Sequence, residues 1–248
     1  MSAIRRMMMR SGDSVDWESI ARGMIDQTTE FSIPASLFGN TTSIAGYLFA
    51  SRGGLLSIDL PSGLTSIGSY AFSTCRKLTA LTLPNGLTTI GNYAFENCGF
   101  TSEVVVPNTV TSFGTYVFSG CNYLPSATLP SGLTTIPNAT FWNCYALSSV
   151  TLPTSVTTIG SWCFQNCRGL TTMDFPNTLT TINANAFNGC YNLIYIIFRS
   201  VTPPTIGTNT FTSTNNCIFY VPDDSVSAYQ TAWSSFSNRI QPLSNLTT

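Results

Sequence analysis

Apolar positions in this chain recur as a block rather than at helical spacing. In CRKLTALTLPNGLTTIGNYAFENC, residues 75–98, the apolar positions are Leu78, Leu81, Leu83, Leu87, Ile90 and the Ala94–Phe95 pair; Thr, Asn, Gly and Lys fill most of the rest. The block returns every 23 residues. Cys stands at 75, 98, 121, 144, 167 and 190, Pro at 61, 84, 107, 130, 153 and 176, and Phe at 49, 72, 95, 118, 141, 164 and 187. An unbroken period of this size means one supersecondary unit stacked on copies of itself.

Each part of the unit predicts an element. Leu81 and Leu83 alternate with polar residues, so a short strand buries one face and wets the other. Pro84 ends it, because proline cannot donate to a ladder. PNG, PSG or PNT then turns the chain, Leu87 and Ile90 point back inward, and YAF bends again to insert Phe95. One coil cannot bury these side chains alone. A stack can, with a parallel sheet along one side.

This pattern, from the Leu, Ile and Phe spacing to the proline and the cysteine, resembles the leucine-rich repeats of the BspA-like, or Treponema-type, subfamily over residues 31–222. The resemblance implies an α/β repeat solenoid, right-handed and curved, with helical end caps. At the edges the frame loosens. Residues 44–60 fit one coil with Arg52 in the cysteine position, and VTPPTIGTNTF shifts Ile206 and Phe211 by one residue. Residues 1–12 read as a basic tail, and 13–30 as a capping helix with Trp17, Ile20, Ala21 and Met24 on one face. Residues 223–248 read as a second cap, with Val226, Tyr229, Trp233 and Phe236 lining a helix. The opening RRMMM followed by DWESIARGMID is similar to the N-termini of structural proteins of tailed phages and prophages of gut bacteria, which implies docking through residues 1–30.

Composition narrows the function. Charged residues are 8% and the net charge is −1, against about a quarter charged in ordinary domains. The low charge is not that of a membrane protein, since no apolar run approaches ~18 residues; no membrane insertion is expected. Thr, Ser and Asn fill the exposed positions instead. No basic stripe exists to neutralise phosphates, so nucleic acid is not an expected partner. The apolar stretch after Arg5 and Arg6 is three methionines long and Arg10 ends it, too short for a signal peptide.

The chemistry is equally restricted. With no histidine in the chain, no Cys-His or Ser-His pair can form. Only Cys163 and Cys167 fall at close spacing, and no second pair answers them, so neither metal nor cofactor is expected. Cys163 occupies the small-residue position of Ala71, Ala94 and Ala186. Cys75, Cys98, Cys121, Cys144, Cys167 and Cys190 read as a structural ladder of small apolar side chains, with sporadic disulfides as the alternative. No nucleophile-base set frames a pocket, so catalysis is not expected.

Two surfaces remain as binding candidates. One is the outward face of the sheet, with Asp59, Glu103, Thr128, Thr151, Asp174 and Tyr195; the competing reading is an inert solvated face. The other is a stripe before the Ala-Phe pair, Tyr47, Tyr70, Tyr93, Tyr116 and Trp162, suited to protein contacts or sugar stacking. Its competing reading has each ring packed over its own turn. The expected function is non-catalytic recognition or display, the adhesin-like role that the resemblance implies. Its ligand is expected to be a protein or glycan on a host surface. The expected location is a phage virion, with the solenoid facing outward and residues 1–30 against other virion proteins. A structural decoration without ligand, or a bacterial cell-surface adhesin, are the alternatives.

Overall fold

The computed structural model describes residues 29–214 and 216–246. They form a solenoid of about nine coils. The first side of the coil carries parallel strands at Phe31–Ile33, Leu55–Ile58, Val104–Val105, Ser126–Thr128, Ser149–Thr151, Thr172–Phe175, Tyr195–Phe198, Ile218–Val221 and Ile240–Pro242. The next side carries a second row of two-residue strands, from Ser43–Ile44 to Thr205–Ile206. Register runs at the repeat length, with Thr151 opposite Thr128 and Ile159 opposite Ile136. The second row arises from the L-T-T-I segment, which the sequence reading used only to aim Leu and Ile inward. The tail expected at residues 1–12 and all but the last two residues of the capping helix expected at 13–30 lie outside the described residues.

The core is a set of columns. Phe49, Phe72, Phe95, Phe118, Phe141, Phe164, Phe187 and Phe211 stack at 5.1–5.8 Å between centroids. Beside them runs the cysteine column, buried and free of disulfides. Its side chains do more than fill space. The Cys98 Sγ–H donates to the Phe72 carbonyl oxygen of the preceding coil at 3.2 Å. The same bond recurs from Cys75 to Phe49, Cys121 to Phe95, Cys144 to Phe118, Cys167 to Phe141 and Cys190 to Phe164, at 3.0–3.1 Å. The Phe72 carbonyl also accepts the Cys75 N–H at 3.2 Å. The position therefore asks for a small side chain with one donor, which Ala or Val cannot supply.

Threonine hydroxyls stitch the second side. Thr65, Thr88, Thr157 and Thr180 each donate to the carbonyl of the equivalent residue one coil earlier, at 3.0–3.2 Å. Thr109, Ser155 and Thr178 each reach two carbonyls of the preceding coil. Much of the hydroxyl content that reads as surface polarity in the sequence is inter-coil bonding.

The first side has two breaks, one between Ser149–Thr151 and Thr172–Phe175, which do not pair, and one around Ala80–Leu83. Ala80–Leu83 forms no strand and makes no backbone hydrogen bond to either neighbour among the described residues. The adjoining coil explains half of this. Phe100 is buried where its counterpart Lys77 is exposed, and Thr101 stands where Leu78 is buried. The Thr101 N–H consequently meets the Thr79 carbonyl at 2.9 Å, 22 residues back, whereas Ile194 and Thr171 pair at 23. Gly99 permits the slip, since a side chain there would collide with the Arg76 carbonyl oxygen. On the other edge, a groove of about 600 Å³ opens between Ser57–Ser62 and Ala80–Gly86.

The C-terminal segment closes the stack with less helix than its pattern suggests. The helix spans Val226–Ala232, and Trp233 has already left it at φ −117 and ψ 53. Tyr229 Oη donates to the Ser200 carbonyl at 2.8 Å and Trp233 Nε1 to the Pro204 carbonyl at 3.0 Å. These two bonds satisfy the loop whose extra residue shifts Thr205 to 24 from its partner Thr181. The chain then returns as Ile240–Pro242 to pair with Ile218–Val221, a strand the helical pattern does not announce. Arg239, half-buried, donates to the Cys217 carbonyl at 2.6 Å and lies over the Phe219 ring at 4.5 Å.

The buried thiols make stability pH-dependent. Burial pushes Cys75, Cys121 and Cys190 up to about 12 and also raises Cys98, Cys144, Cys163 and Cys167. Unfolded thiols ionise near 9, so above that pH the unfolded chain binds fewer protons than the folded one. The thiol contribution is fully present below about pH 9 and is lost as pH rises toward 12, at about 1.4 kcal/mol per pH unit for each thiol. We expect the melting temperature to fall steeply above pH 9. A thiol reagent at pH 8 should label none of the eight buried cysteines until denaturant is added.

Candidate functional site

The candidate residues of the sheet face are held in pairs. Glu103 accepts a hydrogen bond from Thr128 Oγ1 at 2.8 Å, and Thr128 faces Thr151 across the ladder. Asp174 receives Arg199 through both carboxylate oxygens, at 2.8 and 2.7 Å. Tyr195 meets Tyr220 edge to face at 5.7 Å. Asp59 stands apart, exposed on the rim of the groove beside Ala80–Gly86. Exposed apolar side chains lie among them, Val105 at 54% and Leu56 at 38%. The face is hydroxyl-bearing and partly apolar, and mildly acidic through Asp59 and Glu103.

The aromatic stripe is a single stack over half its length. Tyr47, Tyr70, Tyr93 and Tyr116 lie ring on ring, 4.5–4.7 Å apart with planes within 12°. Each ring packs on its neighbours rather than over its own turn. The inner rings have both faces covered, so the ladder offers edges and phenol hydroxyls, not flat platforms for sugars. Burial, then the neighbouring phenols and Glu96, raise Tyr70 and Tyr93, so these hydroxyls stay neutral. The stack ends where Ala139 replaces tyrosine, and Trp142 abuts Tyr116 edge-on at 6.2 Å. Trp162 occupies the tyrosine position two coils further on, exposed and without a ring partner among the described residues. All these positions are left-handed, with φ of 52–60° from Tyr47 to Asn185. That conformation costs a non-glycine residue about 1–2 kcal/mol, which stacking at about 0.5–1.5 kcal/mol per pair offsets.

A third cluster is absent from the sequence expectations. The Arg168 guanidinium lies over the Tyr145 ring at 4.9 Å and the Tyr191 ring at 5.6 Å. The three residues each follow a repeat cysteine, on successive coils. Stepping by 23 from Arg76 gives Gly99, Asn122, Tyr145, Arg168 and Tyr191; attention to the cysteine itself hid the position after it.

None of these arrangements forms a reaction centre. Among the described residues no three His, Cys, Asp or Glu side chains converge to hold a metal. The cysteines are neutral thiols in the core. No described helix is long and apolar enough to cross a membrane.

Comparison with known proteins agrees with this architecture. The BspA type leucine rich repeat region matches in six copies, over residues 42–167 and 134–247. A leucine-rich repeat protein from Bacteroides ovatus superposes with a TM-score of 0.59 at 25% identity, covering 77% of this chain and 55% of that one. Another, from Eubacterium ventriosum, gives 0.58 at 22% identity, over 73% and 57%. The leucine rich repeat protein of Treponema pallidum gives 0.42 at 25%, over 57% and 78%. The chain thus spans just over half the length of the first two. No curated protein matches the chain.

The stack yields a graded prediction. Tyr93→Ala removes two stacking contacts and should lower the urea unfolding free energy by about 1–3 kcal/mol. Tyr47→Ala removes one and should cost about half as much, about 0.5–1.5 kcal/mol. Equal costs would show that the rings act separately.

Proposed function

Because the chain belongs to the BspA-type leucine-rich repeat family, we propose that it is a non-catalytic recognition protein that binds a protein partner along the first sheet. One observation carries this reading. Several charged groups are tied into the fold, as in Arg199 with Asp174, Lys77 with Glu30, and Arg239 with the Cys217 carbonyl. What faces solvent on the sheet is a run of small hydroxyls with Val105 and Leu56 among them. Such a face suits contact over many weak points, as repeat proteins use their extended surfaces.

In the finer reading the solenoid faces outward from a tailed-phage particle and touches a host surface, in the manner of an adhesin. Its support is the similarity of RRMMM and DWESIARGMID to phage structural N-termini. Sedimentation from the native source, with mass spectrometry of the particle fraction, tests it. Co-sedimentation with capsid or tail proteins is expected, and deletion of residues 1–12 should release the protein. Recovery with the cell envelope would transfer the same recognition role to a cell-surface adhesin.

The sheet face has its own test. Val105→Glu combined with Thr151→Lys places charges on exposed positions. The pair should leave stability within about 1 kcal/mol and lower capture of the co-sedimenting partner at least about tenfold. Unchanged capture would remove the sheet from the reading.

A further inference from the structure

We propose that Tyr145, Arg168 and Tyr191 form a second binding site, one that takes a uronic acid residue of an acidic glycan by its carboxylate. The first argument is the state of Arg168. Elsewhere Lys77 pairs with Glu30 at 2.7 Å, Arg199 with Asp174, and Arg239 with a carbonyl and the Thr214 hydroxyl. Among the described residues Arg168 has neither an acidic partner nor a hydrogen bond from its guanidinium. Its flat cation is nonetheless held, over Tyr145 on one coil and Tyr191 on another. Ring contacts restrain the side chain without occupying its N–H groups. An arginine fixed in place with its donors unused is organised in advance for a carboxylate, which it grips through two parallel bonds.

The surroundings select the rest of the ligand. Asn192 gives one amide hydrogen to the Arg168 carbonyl oxygen at 2.8 Å and leaves its Oδ1 to accept from a hydroxyl. Tyr145 and Tyr191 are 40% and 46% exposed, and Ile194 beyond them is 60% exposed. Rings of this kind pack against the C–H faces of sugars and offer hydroxyls at their rims. There is a single guanidinium, so the site fits a ligand with one negative charge per unit amid neutral hydroxyls. A run of aspartates or a phosphate dianion would call for several cations. The cluster lies at the turn that leads into the first sheet and does not depend on a partner there.

Titration calorimetry at low salt distinguishes the ligands. The probes are a galacturonic acid trisaccharide, the matching neutral galactose trisaccharide and a glutamate tetrapeptide. The uronate should bind about tenfold or more tighter than the neutral sugar, and Arg168→Gln should abolish that difference. Arg168→Lys should restore only part of it, because an ammonium lacks the planar fork. Tyr145→Ala should weaken both sugars, and added salt should weaken the uronate alone. Val105→Glu, on the sheet face, should leave all sugar binding unchanged, which separates this site from the proposed protein contact. Arg168 is exposed, so Arg168→Gln should keep the parent melting temperature. Equal affinity for both sugars, uronate binding that survives Arg168→Gln, or tighter binding of the peptide would each overturn the assignment.

Discussion

Every polar group inside a coil must find its partner in that coil or in the one before or after it. The Phe72 carbonyl shows how completely this is met: it takes the Cys75 N–H from its own coil and the Cys98 S–H from the next. Burial without those bonds would cost about 1–3 kcal/mol for each orphaned group, repeated at every coil. The constraint reaches the surface, where Thr65 and Thr88 hydroxyls bond the coil below. It also accounts for a composition that is rich in hydroxyls and poor in charge: the repeat needs compact donors at fixed heights, and long charged side chains serve poorly there.

What repeats was legible, and what departs from the repeat was not. The columns of Phe, Leu and Cys followed from spacing, because a side chain at a fixed phase of a stacked coil has one place to go. The second donor role of cysteine did not follow, since a buried thiol and a buried methyl look alike in a hydropathy pattern. The slip at Thr101 rests on one exchange, Phe100 becoming the buried residue in place of its neighbour, and Gly99 gives the only local hint. The returning strand at Ile240–Pro242 carries too few residues for an alternation to declare itself. Of the candidate site residues, the four tyrosines were placed together by their spacing, but the covering of their faces by one another is a matter of ring orientation. Trp162 shares their phase and lacks their company because Ala139 and Asn185 flank it. Arg168 went unnoticed because its meaning depends on residues 23 positions away on both sides.

The surfaces divide by how their polar groups are disposed. On the sheet face Glu103 and Asp174 are already tied to Thr128 and Arg199, so a partner there meets a quiet surface of small hydroxyls with scattered apolar contacts. At Arg168 the opposite holds: a charge is kept in place by ring faces and left without an anion. One fold thus carries two kinds of surface, diffuse along the strands and local at the turn, and both follow from substitutions at exposed phases that leave the columns untouched.

The break at Ala80–Leu83 has a mechanical meaning. Coils bond only to their neighbours, so tension along the axis loads the joints in series, and the joint with the fewest bonds yields first. On the first side those four residues contribute none, leaving the Phe and Tyr stacks, the second row, the Cys98 thiol and the backbone bonds from Tyr70, Phe72 and Thr74 to hold the coils together. Under a pull between its ends, the coils would part first beside Ala80–Leu83 and between Ser149–Thr151 and Thr172–Phe175, before the fully paired blocks began to unravel.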